Sequence, residues 1–205
     1  MEKIINKATL LVGPTGSGKT PLGDYIAKHG LLGEIYHHFD FGENLRQIAE
    51  SNIYKDFFSE EELQFIKAVL SEGLLLEDDK FYLAGKILKC FVNLNITNKT
   101  DHILLNGLPR HLGQAEDVSS VIQITSVINL CCSAQTVLSR IYNNYGGDRG
   151  NRIDDHIALV NKKLEIYNTR TKPLINYYKE KNCPIYSYEV SDSTKPGDFV
   201  EFINR

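Results

Sequence analysis

The chain has 205 residues and a formal net charge of −3 at pH 7, with 42% hydrophobic and 24% charged residues. These fractions are typical of a globular protein, and the length suits one α/β domain with insertions. Charge this close to neutral argues against a broad nucleic-acid or membrane surface, which needs clustered basic residues. No apolar stretch approaches the roughly 18 residues that span a bilayer. We therefore expect a cytoplasmic protein without a nucleic-acid or membrane partner.

Short apolar runs alternate with helical patterns along the chain. The runs expected to form strands are 8–12, 35–39, 102–105, 127–131 and 185–188. The segments expected to form helices are 22–28, 43–53, 60–70, 78–92 and a long region from 154 to 181 that Pro173 interrupts. This alternation predicts a parallel sheet with helices on both faces. The four cysteines (90, 131, 132 and 183) lack C-x-x-C spacing, so we expect free buried thiols rather than a metal site or disulfides.

The strongest motif is residues 13–20, with the sequence GPTGSGKT. It matches G-x-x-x-x-G-K-[ST] and stands between an expected strand and an expected helix, which makes a chance glycine-rich turn a poor alternative. Glycines let the backbone amides converge on phosphate oxygens, next to the positive end of the helix dipole. Lys19 should reach the β- and γ-phosphates of ATP, and the Thr20 hydroxyl should ligate Mg²⁺. The expected ATP-binding residues in this loop are Gly13, Thr15, Gly16, Ser17, Gly18, Lys19 and Thr20.

Six further segments resemble motifs of the adenylate kinase family. Residues 106–110 (NGLPR) followed by QAE at 114–116 resemble its DGFPR…QAE segment. Residues 152–155 (RIDD), with LEIY at 164–167 and TKPL at 171–174, resemble its R-x-D-D…R-L-x-x-Y…T-x-P-L pattern, and residues 41–46 resemble T-G-D-L-L-R. Because the segments occur in the family's order over nearly the whole chain, the resemblance is much more specific than the phosphate loop alone.

The resemblance implies a P-loop NTPase three-layer sandwich with a central five-stranded parallel sheet. It implies a single kinase domain over 1–205, with an acceptor-binding flap at 41–75 and a short lid at 141–152. Arg46 and Arg110 would grip the acceptor monophosphate, and Gln114 would contact its base. The implied nucleoside monophosphate site also includes Phe41, Gly42, Leu74, Leu75, Leu76, Gly107, Arg152 and Lys163.

On the donor side, the resemblance implies that Arg140 packs on the ATP adenine. Arg152 would clamp the transferring phosphoryl group, and the implied catalytic set is Lys19, Arg110, Arg149, Arg152 and Lys163. Asp154 and Asp155 would orient the lid. Guanidinium groups suit this work because they bind phosphate in bidentate geometry and stay charged. A general base is unnecessary, since the accepting phosphate oxygen is already ionised.

The chain departs from the family pattern at several positions. Asn106 stands in place of an aspartate that helps to hold Mg²⁺, and Asn144 in place of a lid arginine. Lys163 replaces an arginine, which keeps the charge but loses the planar fork. Phe41 replaces a threonine associated with AMP recognition, and it can stack on a base but cannot donate a hydrogen bond. The sequence GKT at residues 18–20 also resembles the phosphate loop of tRNA isopentenyltransferases, but those proteins lack the other segments named above.

These observations predict a nucleoside monophosphate kinase that uses ATP and Mg²⁺, with AMP as the expected acceptor and a monomer as the expected state. UMP or CMP as acceptor and another small-molecule kinase remain alternatives. A nucleotide-binding sensor with weak activity is a third, motivated by Asn106, Asn144 and Lys163.

We expect the flap and the lid to close over substrates, because closure excludes water and prevents hydrolysis of ATP. Amide hydrogen exchange in both segments should slow when a bisubstrate analogue binds. Unchanged exchange at 41–75 and 142–152 would contradict this expectation.

Overall fold

The computed structural model describes residues 6–51, 57–72, 80–98, 100–147 and 157–204. Its strands are β1 (Asn6–Val12), β2 (Tyr36–Asp40), β3 (His102–Asn106), β4 (Ile122–Cys131) and β5 (Ile185–Glu189). Within the described ranges they form one sheet in the order β2-β3-β1-β4-β5, and every neighbouring pair is parallel. The expected five-stranded parallel sheet is confirmed.

Nine helices surround this sheet in the same described ranges. They are α1 (Lys19–His29), α2 (Phe41–Glu50), α3 (Glu60–Glu72), α4 (Phe81–Asn95), α5 (Leu112–Ser119), α6 (Ala134–Tyr142), α7 (Ile157–Ile166), α8 (Pro173–Glu180) and α9 (Pro196–Ile203). A π-helical turn, Tyr167–Thr171, joins α7 to α8. Pro173 is the first residue of α8, a position whose N–H makes no bond within the helix, so a proline fits there. The expected restart of the helix at this proline is confirmed.

Alternating strand residues enter two separate apolar cores, one on each face of the sheet. Leu10 of β1 packs in a core with residues of α2, α4, α5 and α8, whereas Leu11 packs in the other core with Leu22 of α1 and Phe199 of α9. Successive strand side chains point to opposite faces, so this division follows from the strand geometry. The three-layer arrangement is confirmed.

Three short helices and the first half of β4 were not predicted. Helices α5, α6 and α9 have only eight or nine residues each. Side-chain caps stabilise two of them, since His111 accepts from the Gln114 amide and Ser133 from the Thr136 amide. Strand β4 begins at Ile122 rather than at 127, with its polar Ser126 hydrogen-bonded to Thr9 at 2.8 Å.

All four cysteines are free thiols, as expected, but only Cys90 is buried and the other three are half-buried. Among the described helices, none combines the length and the apolar character needed to cross a membrane.

Helix α4 offers a matched test of how much this core stabilises the fold. Leu88 is fully buried, whereas Leu94 in the same helix is 57% exposed. We expect Leu88→Ala to lower the free energy of unfolding by about 2–5 kcal/mol, because it removes buried methyl groups and leaves a cavity. Leu94→Ala should change it by less than about 0.5 kcal/mol. Urea denaturation measures both, and equal losses would contradict the placement of α4.

Candidate active site

The phosphate loop connects β1 to α1 and needs glycine at particular positions. Gly16 has φ of +77° and Gly18 has φ of +91°, values that side-chain-bearing residues rarely adopt. A Cβ atom on Gly13 would lie 2.7 Å from the Ser17 hydroxyl, and one on Gly18 would lie 3.2 Å from the Arg140 guanidinium. The glycines are therefore required both by backbone conformation and by close packing.

Hydrogen-bonding groups of the kind that bind an anionic ligand lie inside the loop. The Lys19 ammonium donates to the carbonyl oxygens of Gly13 and Pro14, both at 2.8 Å. The Ser17 hydroxyl is buried and has no hydrogen-bond partner among the described residues. Gly18 caps the N-terminus of α1, where amide groups and the helix dipole favour negative charge. An ammonium, a hydroxyl and a helix N-terminus together fit the oxygens of a polyphosphate.

Three polar side chains meet where α1 begins and where β2 and β3 end. Asp40 and Asn106 are register partners at the ends of these neighbouring parallel strands. The Thr20 hydroxyl donates to Asp40 Oδ2 at 2.7 Å, and Asn106 Nδ2 donates to the same oxygen at 2.8 Å. Asn106 Nδ2 also lies 3.2 Å from the Thr20 oxygen. The half-buried Asp40 carboxylate thus contacts the threonine expected to ligate Mg²⁺.

The surroundings of Asp40 favour its charged form. Burial raises the pKa of this carboxyl, but hydrogen bonds from the Thr20 hydroxyl and the Glu43 amide, together with the charges of His38 and Arg46, lower it by more. The resulting pKa lies below its ordinary value. Asp40 is therefore an anion at neutral pH.

Arg110 follows β3 and is held through both of its backbone polar groups. Its N–H donates to Gln114 Oε1 at 2.8 Å, and its carbonyl accepts from the Thr171 hydroxyl at 2.8 Å. Its side-chain Nε donates to the Gly107 carbonyl at 2.9 Å. Burial lowers the pKa of this guanidinium, and the Asp40 carboxylate opposes the effect. The loop after β3 therefore presents a positioned cation beside the Asp40 carboxylate.

Arg140 joins the phosphate loop to the segment between β5 and α9. It is 5% exposed, and its Nε donates to the Gly16 carbonyl at 3.1 Å. Its Nη1 donates to the carbonyls of Ser191 at 2.7 Å and Asp192 at 3.1 Å. With these bonds the guanidinium braces two segments at the carboxyl edge of the sheet.

The expected acceptor residues at the start of the flap lie in different environments. The Arg46 guanidinium is partly exposed and contacts the Glu43 carboxylate one helical turn away, at 2.8 Å. Gly42 lies beside it, since a Cβ atom there would be 3.6 Å from Arg46 Nη1. Phe41 is only 4% exposed and packs in the core, so its ring is not open to stack on a base in this conformation. Its Cβ lies 3.4 Å from where a Cβ of Gly107 would be.

The remaining expected site residues are Gln114, Lys163 and a set outside the described ranges. Gln114 is 2% exposed, and its carbonyl oxygen positions Arg110. Lys163 is half-buried on α7. The residues outside the described ranges are Leu74, Leu75, Leu76, Arg149, Arg152, Asp154 and Asp155.

Sequence reasoning missed Asp40 and Thr171. Asp40 immediately precedes the segment that resembles T-G-D-L-L-R, and an acidic residue at a strand end beside a phosphate loop was a usable signal. Thr171 belongs to the TKPL segment, but its bond to Arg110 depends on the π-helical turn, in which the Lys172 amide donates to the Tyr167 carbonyl. Such turns often occur at functional sites.

The donor atoms near Thr20 suit Mg²⁺. This ion prefers hard oxygen ligands and is usually held by one or two protein oxygens together with substrate phosphates and water. The Thr20 hydroxyl and the Asp40 carboxylate supply such oxygens beside the phosphate loop. In the described ranges, no group of three or more His, Cys, Asp or Glu side chains is arranged to hold a metal ion.

Comparisons with known proteins agree with the geometry. A family model for adenylate kinase matches residues 11–183. The adenylate kinase of Caldicellulosiruptor bescii is 27% identical over 91% of this chain and 94% of its own length. The adenylate kinase of Malacoplasma penetrans is 28% identical over 96% of this chain and 95% of its own length. The adenylate kinase of Prochlorococcus marinus is 26% identical over 92% of this chain and 92% of its own length. The matched region includes the phosphate loop, Asp40, Arg110 and Thr171.

The bond from Thr171 to Arg110 generates a testable prediction. Thr171→Val removes the hydroxyl while keeping the shape, and Thr171→Ser keeps the hydroxyl. We expect the valine variant to lose about 1 kcal/mol in free energy of unfolding, the usual contribution of one hydrogen bond. Its affinity for a nucleoside monophosphate, measured by calorimetry, should fall several-fold because Arg110 is less well positioned, whereas the serine variant should bind like the wild type. Unchanged affinity in the valine variant would refute this role.

Proposed function

The chain belongs to the adenylate kinase family, and on that premise we propose that this nucleoside monophosphate kinase transfers the γ-phosphoryl group of ATP to AMP, giving two ADP. The observation that carries the proposal is the Arg110 guanidinium, which the Gly107 carbonyl holds just after the end of β3, where the Asp40 carboxylate acts on it electrostatically. A loop for one polyphosphate and a separate positioned cation for a second phosphate are what a transfer between two nucleotides requires.

The donor site would form around the phosphate loop. Lys19 now donates to two loop carbonyls, and we propose that ATP phosphate oxygens replace them. The Ser17 hydroxyl and the N-terminus of α1 supply further donors. Arg140 was expected to pack on adenine, and its burial supports a second role. By holding Gly16 and Ser191, it would fix the two walls between which the base enters.

The acceptor site would lie between the end of β3 and helix α2. Arg110 and Arg46 approach it from these two elements, and a phosphate can replace Glu43 as the partner of Arg46. Gln114 uses its carbonyl oxygen to hold Arg110, and its expected contact with the acceptor base belongs to the same proposal. Phe41 and Gly42 would shape the site through the backbone of α2, and the expected contributions of Leu74, Leu75, Leu76 and Lys163 belong to the same proposal.

Catalysis in such a site would be mainly positional and electrostatic. The transferring phosphoryl group spreads negative charge over its oxygens, and preorganised cations stabilise that charge. Lys19 and Arg110 are the described cations at the two ends of the transfer path; Arg149 and Arg152 are proposed to join them from the lid, which Asp154 and Asp155 would orient. Mg²⁺ held by Thr20 would neutralise phosphate charge. The monomeric state and the cytoplasmic location are part of the same proposal.

An acceptor panel tests this function most simply. ATP should be consumed with AMP faster than with GMP, UMP, CMP or the deoxy forms in a coupled assay of diphosphate formation. Lys19→Ala should lower the rate at least about a hundredfold, because it removes a cation from the transition state. Lys28→Ala, an exposed lysine in the last turn of the same helix, is the matched control and should be unaffected.

Two other outcomes would revise the proposal. Faster turnover with UMP or CMP would transfer the assignment to a different acceptor within the same enzyme class. Tight ATP binding without turnover on any acceptor would contradict AMP phosphorylation and favour a nucleotide-binding sensor.

A further inference from the structure

The Asp40 carboxylate uses its two oxygens for two different purposes. Oδ1 accepts from the Glu43 amide at 3.0 Å and caps α2. Oδ2 faces the phosphate-loop side and accepts from Thr20 at 2.7 Å and from Asn106 at 2.8 Å. One carboxylate thus links the cap of a flap helix to the threonine of the phosphate loop.

Helix capping alone does not account for an aspartate at this position. Serine, threonine or asparagine caps a helix about as well as aspartate does, and none of them introduces a charge. Burying even part of a carboxylate costs free energy unless hydrogen bonds or cations compensate it. Here the second oxygen and the negative charge are directed at Thr20, which a cap does not require.

The neighbouring strand end supplies an amide where a carboxylate is expected. P-loop enzymes generally pair the loop Ser or Thr with an acidic side chain to hold the nucleotide's metal ion. Asn106 at the end of β3 is uncharged, and it donates to Asp40 rather than accepting from Thr20. Asp40, its register partner on β2, places a carboxylate oxygen within 2.7 Å of the Thr20 hydroxyl.

We propose that Asp40 is the acidic residue that holds the Mg²⁺ of bound ATP together with Thr20, and that Asn106 orients its carboxylate. In the motif that residues 106–110 resemble, the carboxylate stands at the end of β3; in this chain it stands at the end of the neighbouring strand, β2. The inference rests on the proposed use of Mg²⁺·ATP but not on the identity of the acceptor.

A metal-holding carboxylate affects metal-free and metal-bound ATP in opposite directions. Without Mg²⁺, the negative charge of Asp40 repels the triphosphate; with Mg²⁺ present, it attracts the cation. Neutralising Asp40 should therefore tighten the binding of metal-free ATP and weaken that of Mg²⁺·ATP. A purely structural aspartate would change both affinities in the same direction.

The experiment measures ATP affinity by isothermal titration calorimetry, in excess Mg²⁺ and in EDTA, for the full-length chain. The variants are Asp40→Asn, Asn106→Asp and the double variant Asp40→Asn/Asn106→Asp. Asparagine keeps the shape and still caps α2. Asp101→Asn is the matched control, because it removes a buried carboxylate at the opposite end of β3, about 17 Å away along the strand.

We expect Asp40→Asn to lower the ratio of Mg²⁺-bound to metal-free ATP affinity about tenfold. The double variant should recover most of the ratio by returning the charge to β3, Asn106→Asp should raise it, and Asp101→Asn should leave it unchanged. A wild-type ratio near one, or an Asp40→Asn variant in which both affinities fall together, would overturn the proposal. Since no acceptor is present, failure of AMP phosphorylation would leave this result intact.

Discussion

The site depends on the parallel register of three adjacent strands. Because β2, β3 and β1 run side by side in one direction, their carboxyl ends reach a common edge of the sheet. That edge holds Asp40 and Asn106 as direct register partners, next to the start of the phosphate loop. Strand ends in parallel sheets are common ligand sites for this reason. Asp40 and Asn106 project from this edge, and Thr20 is tied to it by a hydrogen bond.

Opposite charges are arranged around that edge in a definite order. Lys19 lies in the phosphate loop, Asp40 lies beside Thr20, and Arg110 follows on the next strand. Backbone contacts fix the Arg110 loop and the Arg140 guanidinium, so little reorganisation is needed when phosphate charge arrives. Helix α2 begins directly after Asp40, so it would connect the proposed acceptor-binding flap to the proposed metal-binding side of the site.

The phosphate loop and the sheet were predictable because their signals are local. A glycine pattern between a strand and a helix needs no tertiary information, and buried parallel strands appear as short apolar runs. Helices α5, α6 and α9 were not predicted because they are short, with eight or nine residues each, and a short segment gives a weak helical pattern. The first half of β4 was not predicted either, since Ser126 is satisfied by Thr9 across the sheet.

Residue roles that depend on strand register or on a tertiary contact could not be predicted from the sequence. Asn106 looked like the loss of a charge until its pairing with Asp40 was visible. Phe41 looked like a base-stacking residue, yet its ring packs inside the core.

A crystal structure with Mg²⁺, AMP and a non-hydrolysable ATP analogue tests the account most directly. It should show Lys19 released from Gly13 and bound to phosphate, Mg²⁺ beside Thr20 and Asp40, and Arg110 on the AMP phosphate. A phosphate loop without a triphosphate, or Mg²⁺ held away from both Thr20 and Asp40, would contradict it.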